Sequence, residues 1–478
     1  MRTESRPDPG PSSGNVGRIV TLVITLAVLM GVTYLIVNLN PPDWNAGYLA
    51  ILTGFVLLVA SVAGSLAVRA GLPRLTGFVV VGILAGPSVL GILSDEAVRQ
   101  LRLIDEFALA LIALLAGGEL KKDEVLPRIG SIGWTTVAVT LVVWVGMTVA
   151  VVAIAPFLPF LAQASFSTKV AVALILGIWA ANSSPDLTVA VIEETGAKGR
   201  LADVILGTTI VKDVLVIVLF TLTLTLVAPM AGGGQAEGST LDVFLTLGQE
   251  VGGAVVVGAF LGWVFSLYLQ SGEGDRPPLA TFLFAYVIVV VANRLHIELL
   301  LSAVAAGFVI ENLSPAGDRM IRGVERVSVV LFAFFFTLAG SSLDLQAVRT
   351  VWLGAILVFT VRVALTWLGA MAGTKLADAA PVVRERTWQG LVSQGGVTLG
   401  LLVLAQDALG DLGDGIMNLG MAVVLGGILV GPILLKVALS AGAGSGGSGE
   451  DDGKGGEEGE GDSGAEPERA ASPAPSGG

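Results

Sequence analysis

The chain has 478 residues, of which 54% are hydrophobic and only 14% charged, and its mean hydropathy is +0.83. This composition indicates a polytopic membrane protein and excludes a soluble enzyme of this length. The net charge of −12 includes −7 from the segment after Gly449, and no basic patch suggests nucleic-acid binding. With no cysteine and one histidine, neither a disulfide nor a transition-metal centre is expected, and no cofactor is predicted.

Apolar spans follow one another from the N-terminus almost to the end of the chain. Residues 1–17 are rich in Pro, Ser and Gly and are predicted to be disordered, as is the Gly/Ser-rich acidic tail 441–478. The first apolar run is long enough to cross a bilayer and lacks a small-residue cleavage site, so it is interpreted as an uncleaved helix. Fourteen spans are predicted, near residues 19–37, 46–69, 71–93, 103–119, 129–157, 170–195, 200–229, 245–271, 279–295, 297–313, 325–343, 348–376, 386–407 and 415–440.

The basic residues favour one orientation of these spans. With both termini in the cytoplasm, fourteen Lys and Arg residues fall in inner loops and only five in outer loops or outer helix ends. This is the bias that the positive-inside rule describes. The sequence therefore predicts an integral protein of the plasma (inner) membrane with both termini cytoplasmic.

Three ionisable residues lie near the middle of apolar spans. Lys212 is ~18 Å along a helix that begins at Arg200, at 1.5 Å per residue. Asp213 follows it directly, and Arg362 lies near the middle of the 348–376 span. Charges at that depth are costly, and their usual purpose is a transport or proton pathway.

Two spans contain helix-breaking sequence. The 170–195 span carries SSPD at Ser183 to Asp186, with Pro185 at its centre, and the 386–407 span carries SQGGVTLG with Gly395 and Gly396. Each is the fourth helix of a five-helix set. Matching interruptions in two halves are typical of inverted repeats with a site near the bilayer midplane. The repeats are predicted at about 71–229 and 297–440.

Asp213 is the main candidate for binding a cation or a proton. A carboxylate in a partly dehydrated cavity can exchange a proton for a small cation near neutral pH. The alternative is a structural ion pair with Lys212 or Arg362.

Asp186 is a second candidate, because freed carbonyls and the hydroxyls of Ser183, Ser184 and Thr188 could complete an oxygen shell. Its alternative role is to cap the half-helix that follows the break. Lys212 and Asp213 point about 100° apart on a helix, so Asp186 is the predicted partner of Lys212. Glu298 is expected to lie at the outer end of its span, at the membrane interface.

Arg362 is predicted to compensate charge at the empty site. Binding carbonyls exposed at the breaks is an equally plausible role.

Three stretches together resemble the monovalent cation:proton antiporter superfamily, which includes sodium/hydrogen exchangers and the membrane domain of potassium efflux antiporters. These are LTGFVVVGILAGPSVLGIL (Leu75–Leu93), LALIALLAGGEL (Leu109–Leu120) and FAFFFTLAGSSLDL (Phe332–Leu345). The resemblance covers about 75–440, so of the two leading helices in 18–69 one is extra to the family's thirteen-helix plan. It implies an all-α membrane domain over 70–440, with two broken crossing helices in a core bundle and a separate dimerisation bundle.

The resemblance also implies roles for single residues. The SSPD stretch corresponds to the unwound part of the crossing helices, Asp213 to the cation-binding aspartate and Arg362 to the basic residue facing the core. Lys212 departs from the family, which has Asp, Asn or Gln immediately before that aspartate. Thr208 stands where sodium/proton exchangers carry a glutamate.

These observations predict a homodimeric transporter, not an enzyme, that exchanges Na⁺ or K⁺ for H⁺ by alternating access and serves pH homeostasis. If Lys212 acts as a fixed internal cation, the exchange would be electroneutral. Two alternatives are a transporter of an organic anion on the same fold and a non-transporting sensor, since fold alone does not determine function.

Overall fold

The structure is a computed structural model that describes residues 13–39, 46–227, 245, 248–270, 277–314, 317–343 and 345–445. Over these ranges it is all-helical, as predicted. The helices are α1 (Ser13–Leu39), α2 (Ala46–Arg69), α3 (Arg74–Ala85), α4 (Asp95–Gln100), α5 (Arg102–Glu119), α6 (Lys122–Val125), α7 (Ile129–Ile154), α8 (Phe166–Ala180), α9 (Pro185–Thr195), α10 (Arg200–Val227), α11 (Gly253–Gln270), α12 (Pro277–Leu295), α13 (Leu299–Leu313), α14 (Gly317–Ser341), α15 (Leu345–Leu376), α16 (Pro381–Gly390), α17 (Gly396–Leu409) and α18 (Asp411–Ser445).

Among the described residues, eight helical stretches are long and apolar enough to cross a membrane, and five more apolar helices are shorter. The count of fourteen crossing helices therefore stays a prediction. The predicted disordered ends lie mostly outside the described residues. Their inner edges are helical, because α1 begins at Ser13 and α18 continues to Ser445.

The long helices pack in two groups. The first bundle contains α1 to α5 and α11 to α14, and the second bundle contains α7 to α10 and α15 to α18. Within each group the most extensive packing joins helices that are far apart in the chain, such as α7 with α15 and α5 with α13, whereas α3, α5 and α14 of the first bundle meet α9 and α18 of the second. The broken helix α8–α9 therefore lies where the two bundles face each other.

Glycines allow very close helix crossings in the first bundle. A Cβ atom placed on Gly117 of α5 would collide with the carbonyl of Val304 in α13, and one on Gly307 of α13 would collide with that of Leu114 in α5. Small residues at crossings are the usual means by which membrane helices approach each other closely. The α5–α13 pair is therefore held together by backbone contact.

Replacing Gly307 should separate these two helices. We expect Gly307→Leu to destabilise the folded protein by about 3 kcal/mol, because the obstacle is a backbone carbonyl that cannot move aside. The effect is measured as a change in melting temperature in detergent, with size-exclusion chromatography detecting the protein that remains folded. The matched control is Gly54→Leu, since a Cβ at Gly54 meets no atom within 4 Å. Equal melting temperatures for both variants would contradict this account.

Polar contacts join the two bundles at one end, here called the Glu194 end. The backbone N–H of Arg74, the first residue of α3, donates to the Glu194 carboxylate at the end of α9, with an N–O distance of 2.7 Å. Lys436 of α18 lies 3.6 Å from the same carboxylate and donates to the Leu72 carbonyl at 3.2 Å. Two ion pairs lie at the same end, Lys121–Glu311 and Arg128–Asp203. Loops predicted on one side of the membrane thus do meet at one end.

Candidate ion-binding site

Two helices are interrupted, and the interruptions face each other. Helix α8 stops at Ala180 and the chain turns helical again at Pro185, where proline is favoured because the first helical N–H needs no partner. Ser184 caps α9 by accepting the N–H of Leu187 at 3.1 Å. The second interruption lies between Gly390 and Gly396. Both predicted breaks are present, and each begins two residues earlier than the sequence pattern suggested.

Hydrogen bonds tie the two breaks together. The backbone N–H of Ser184 donates to the carbonyl of Ser393 at 3.0 Å. Thr398, in α17, accepts the Trp179 indole N–H on its carbonyl at 3.0 Å and the Asn182 amide on its hydroxyl at 3.2 Å. Gly395 is needed for this approach, because a Cβ there would lie 2.5 Å from the Ser184 hydroxyl. The same Cβ would lie 3.1 Å from a carboxylate oxygen of Asp186.

Arg362 satisfies carbonyls that the breaks leave unpaired. Its guanidinium donates to the carbonyls of Ala180 at 2.8 Å, Asn182 at 2.7 Å and Val392 at 2.7 Å. The side chain is fully buried, and it forms no ion pair among the described residues. The geometry matches the carbonyl-binding alternative, and charge compensation by Arg362 stays a prediction.

Lys212 does not pair with Asp186. Its ammonium donates to the hydroxyl of Ser183, which in turn donates to the carbonyl of Leu391 at 2.9 Å. Among the described residues Lys212 forms no ion pair, although its side chain is almost completely buried. The predicted Lys212–Asp186 pair is therefore wrong for this conformation. The Ser183 hydroxyl takes the place of the Asp186 carboxylate as the partner of Lys212, because it can accept from Lys212 and donate to the Leu391 carbonyl at the second break.

The two candidate carboxylates each keep one oxygen unpartnered. Asp186 accepts the Ser184 hydroxyl on one oxygen, but its Oδ2 atom has no partner within the described structure, and neither has Oδ1 of Asp213. The aspartates are only 4% and 3% exposed. Thr188 uses its hydroxyl hydrogen on the Ser184 carbonyl at 2.9 Å, which leaves its oxygen able to accept. Buried carboxylate oxygens without a donor are rare and need an explanation, and a hard cation or a proton provides one.

Several residues at the crossing were not predicted from the sequence. Trp179, Asn182 and Thr398 form the bonds between the breaks, and both polar atoms of the fully buried Gln394 amide lack a partner in the described structure. In the sequence these residues stand out only as polar residues within apolar spans. That pattern does not distinguish ion ligands from residues that stabilise the helix crossing.

Glu298 is partly buried and caps the first turn of α13. Its location at the outer membrane interface stays a prediction.

Comparisons with known proteins agree on one family. The profile of the transmembrane sodium/hydrogen exchanger family matches residues 56–441. The Na⁺/H⁺ antiporter NhaP of Pseudomonas aeruginosa is 28% identical over 289 residues, covering 55% of this chain and 66% of that protein. GerN of Bacillus cereus, a Na⁺/H⁺–K⁺ antiporter, is 25% identical over 355 residues, which cover 72% of this chain and 84% of that protein.

A solved structure shows the same fold. The sodium–proton antiporter MjNhaP1 of Methanocaldococcus jannaschii at pH 8 superimposes with a TM-score of 0.63 at 15% identity, over 83% of this chain and 97% of that one. The family match covers most of the chain, and it includes both breaks, Asp213 and Arg362. The protein is thus an integral membrane protein, and its family and fold support cation:proton exchange. The chain belongs to the sodium/hydrogen exchanger family.

Proposed function

We propose that this protein is a secondary transporter that exchanges Na⁺ or K⁺ for H⁺, with Asp213 binding the cation and the proton in turn. The observation that carries the proposal is the pair of unpartnered carboxylate oxygens, on Asp213 and Asp186, buried beside two crossed helix breaks. The hydroxyls of Ser183, Ser184 and Thr188 are the neutral ligands. Pro185, Gly395 and Gly396 interrupt the two helices at this point.

Alternating access would be a movement of one bundle against the other. Asp213 and both breaks are in the second bundle, whose contacts with the first bundle are few. The second bundle is therefore the transport core and the first bundle the dimerisation bundle of a homodimer in the lipid bilayer. The inverted repeats, the plasma-membrane location and the cytoplasmic termini belong to the same proposal.

Lys212 makes the proposed exchange electroneutral. The proposal requires Lys212, whose side chain donates to the Ser183 hydroxyl that is itself bonded to the Leu391 carbonyl, to keep its proton throughout the cycle. Only Asp213 then alternates between a bound cation and a bound proton, so one cation crosses for one proton.

The organic-anion alternative is less well supported, because Arg362 directs its donors at three carbonyls and Lys212 bonds Ser183. Both side chains thus bind neutral oxygens of the two breaks.

Purified protein in proteoliposomes tests the proposal. With an acid interior reported by a pH-sensitive dye, adding the Na⁺ or K⁺ salt of one common anion should release protons and restore fluorescence. An imposed valinomycin–K⁺ diffusion potential should leave the Na⁺/H⁺ equilibrium unchanged. A cycle that moved one net charge would instead shift it by about 2.3 kcal/mol per 100 mV.

Empty liposomes and the choline salt of the same anion give the background. A response that follows the anion and not the cation would favour the organic-anion transporter. No response to any salt would favour the sensor. A voltage-dependent Na⁺ response would keep the antiporter but reject electroneutral exchange.

A further inference from the structure

A third carboxylate approaches Asp213 from the first bundle. Glu298 is the N-cap residue of α13, and its carboxylate accepts the backbone N–H of Leu300 at 3.1 Å and that of Leu301. Two backbone donors and the positive end of the helix dipole stabilise a negative charge at this position. These contacts favour the ionised form of Glu298.

Helix lengths place Glu298 at about the depth of Asp213. Near the Glu194 end, Asn312 of α13 donates to the carbonyl of Leu120 after α5, and Asp203 of α10 pairs with Arg128. Counting away from that end at 1.5 Å per residue, Glu298 is ~21 Å from Asn312 and Asp213 is ~15 Å from Asp203. By this count Glu298 lies ~6 Å further from the Glu194 end than Asp213, and its position relative to the outer interface stays a prediction.

Packing brings this turn against α10. Ile297 and Leu301, on either side of Glu298, belong to one apolar cluster with Val214, the residue after Asp213. The ionisable side chains near enough to act electrostatically on Asp213 are Glu298, Asp186 and the adjacent Lys212. The other charged groups in this neighbourhood are Glu250, which acts on Glu298 from the short π-helix Gly248–Gly252, and Arg362, which acts on Lys212 from α15.

We propose that Glu298 is a positioning residue for the transported ion, whose negative charge on the first bundle strengthens binding of both Na⁺ and H⁺ at Asp213 on the second. The inference rests on the proposed exchange function. Its consequence is a coupling between site occupancy and bundle position. An empty, ionised Asp213 is repelled by Glu298, whereas a cation or proton removes that repulsion.

The effect of removing this charge has a definite sign. Without Glu298 the site attracts Na⁺ less, so the KM for Na⁺ at alkaline pH rises. Asp213 also holds its proton less well, so acid competes with Na⁺ only at a lower pH. Because Na⁺ and H⁺ carry the same charge, a through-space effect changes both affinities by the same factor. A tenfold rise in KM should accompany a shift of one pH unit.

Two substitutions separate charge from capping. Ser and Asp are both good N-cap residues, so Glu298→Ser keeps the cap without the charge and Glu298→Asp keeps both. In proteoliposomes, with KM for Na⁺ measured from pH 6 to 9, we expect Glu298→Ser to raise the alkaline KM by about three- to tenfold. The onset of acid inhibition should fall by the matching 0.5 to 1 unit, and Glu298→Asp should stay close to the wild type.

Glu106→Gln is the matched control. It removes the same charge from the same bundle, where Glu106 accepts a hydrogen bond from Asn293 at 2.9 Å, and should leave both quantities unchanged. The inference is overturned if Glu298→Ser behaves as the wild type, if Ser and Asp change KM equally, or if KM changes without the pH shift. In each case the wild type still exchanges ions, so the proposed function would survive. Loss of exchange in the wild type itself would instead contradict the proposed function.

Discussion

Asp213→Asn is expected to reduce Na⁺-dependent proton movement to the level of empty liposomes. The substitution keeps the volume of the side chain but removes the group that binds a proton and a cation in turn. Asp213 is 3% exposed and its Oδ1 atom has no partner in the described structure, and the Asn182 amide that bonds its carboxylate can donate equally to the amide oxygen of asparagine. Expression, monodispersity and melting temperature should therefore be retained. Dye recovery in proteoliposomes measures the loss.

The control for Asp213 is on the same helix. Asp203→Asn removes a carboxylate ten residues away that pairs with Arg128 at the Glu194 end, with an N–O distance of 2.7 Å. It should lose some thermal stability but keep exchange. Wild-type exchange by Asp213→Asn would assign the ion to another group, and Asp186 would then be the first candidate.

Arg362→Leu is expected to prevent a stable fold. Leucine removes all the donors to the carbonyls of Ala180, Asn182 and Val392 and leaves these oxygens buried. An unsatisfied buried acceptor costs about 1–3 kcal/mol. The combined cost of three such acceptors is therefore comparable to the free energy of unfolding of an ordinary domain. The variant should be recovered in low yield or as aggregate. Arg362→Lys should give an intermediate result, because an ammonium is a compact point charge that cannot reproduce the planar fork.

Arg349→Leu provides the comparison, since Arg349 is exposed near the start of the same helix, α15. We expect a melting temperature within a few degrees of the wild type. Expression and thermal unfolding in detergent distinguish the two variants. A stable Arg362→Leu protein would show that the carbonyls at the breaks find other donors, and it would contradict the structural role of Arg362.

Much of the site could be predicted because polar and charged groups inside a membrane cost free energy and are therefore rare there. Charged side chains and unpaired backbone groups are energetically costly in hydrocarbon. Lys212, Asp213 and Arg362 could therefore be identified as functional candidates from the sequence without knowing their partners. Pro185 and the pair Gly395–Gly396 marked the two breaks for the same reason. Local chemistry alone determined these features, and helical content followed from the length and hydropathy of the runs.

Partners, by contrast, were decided by the tertiary structure. Which group Lys212 meets depends on the rotation of α10 and on how closely α16–α17 crosses α8–α9, and distant residues such as Gly395 set that crossing. The depth of Glu298 depends on where α13 begins relative to α10, which packing of α13 against α5 determines. A pattern within one helix describes the environment that its residues need. Only contacts between helices specify which side chain meets which, because helix rotation and crossing are settled by packing across the whole bundle.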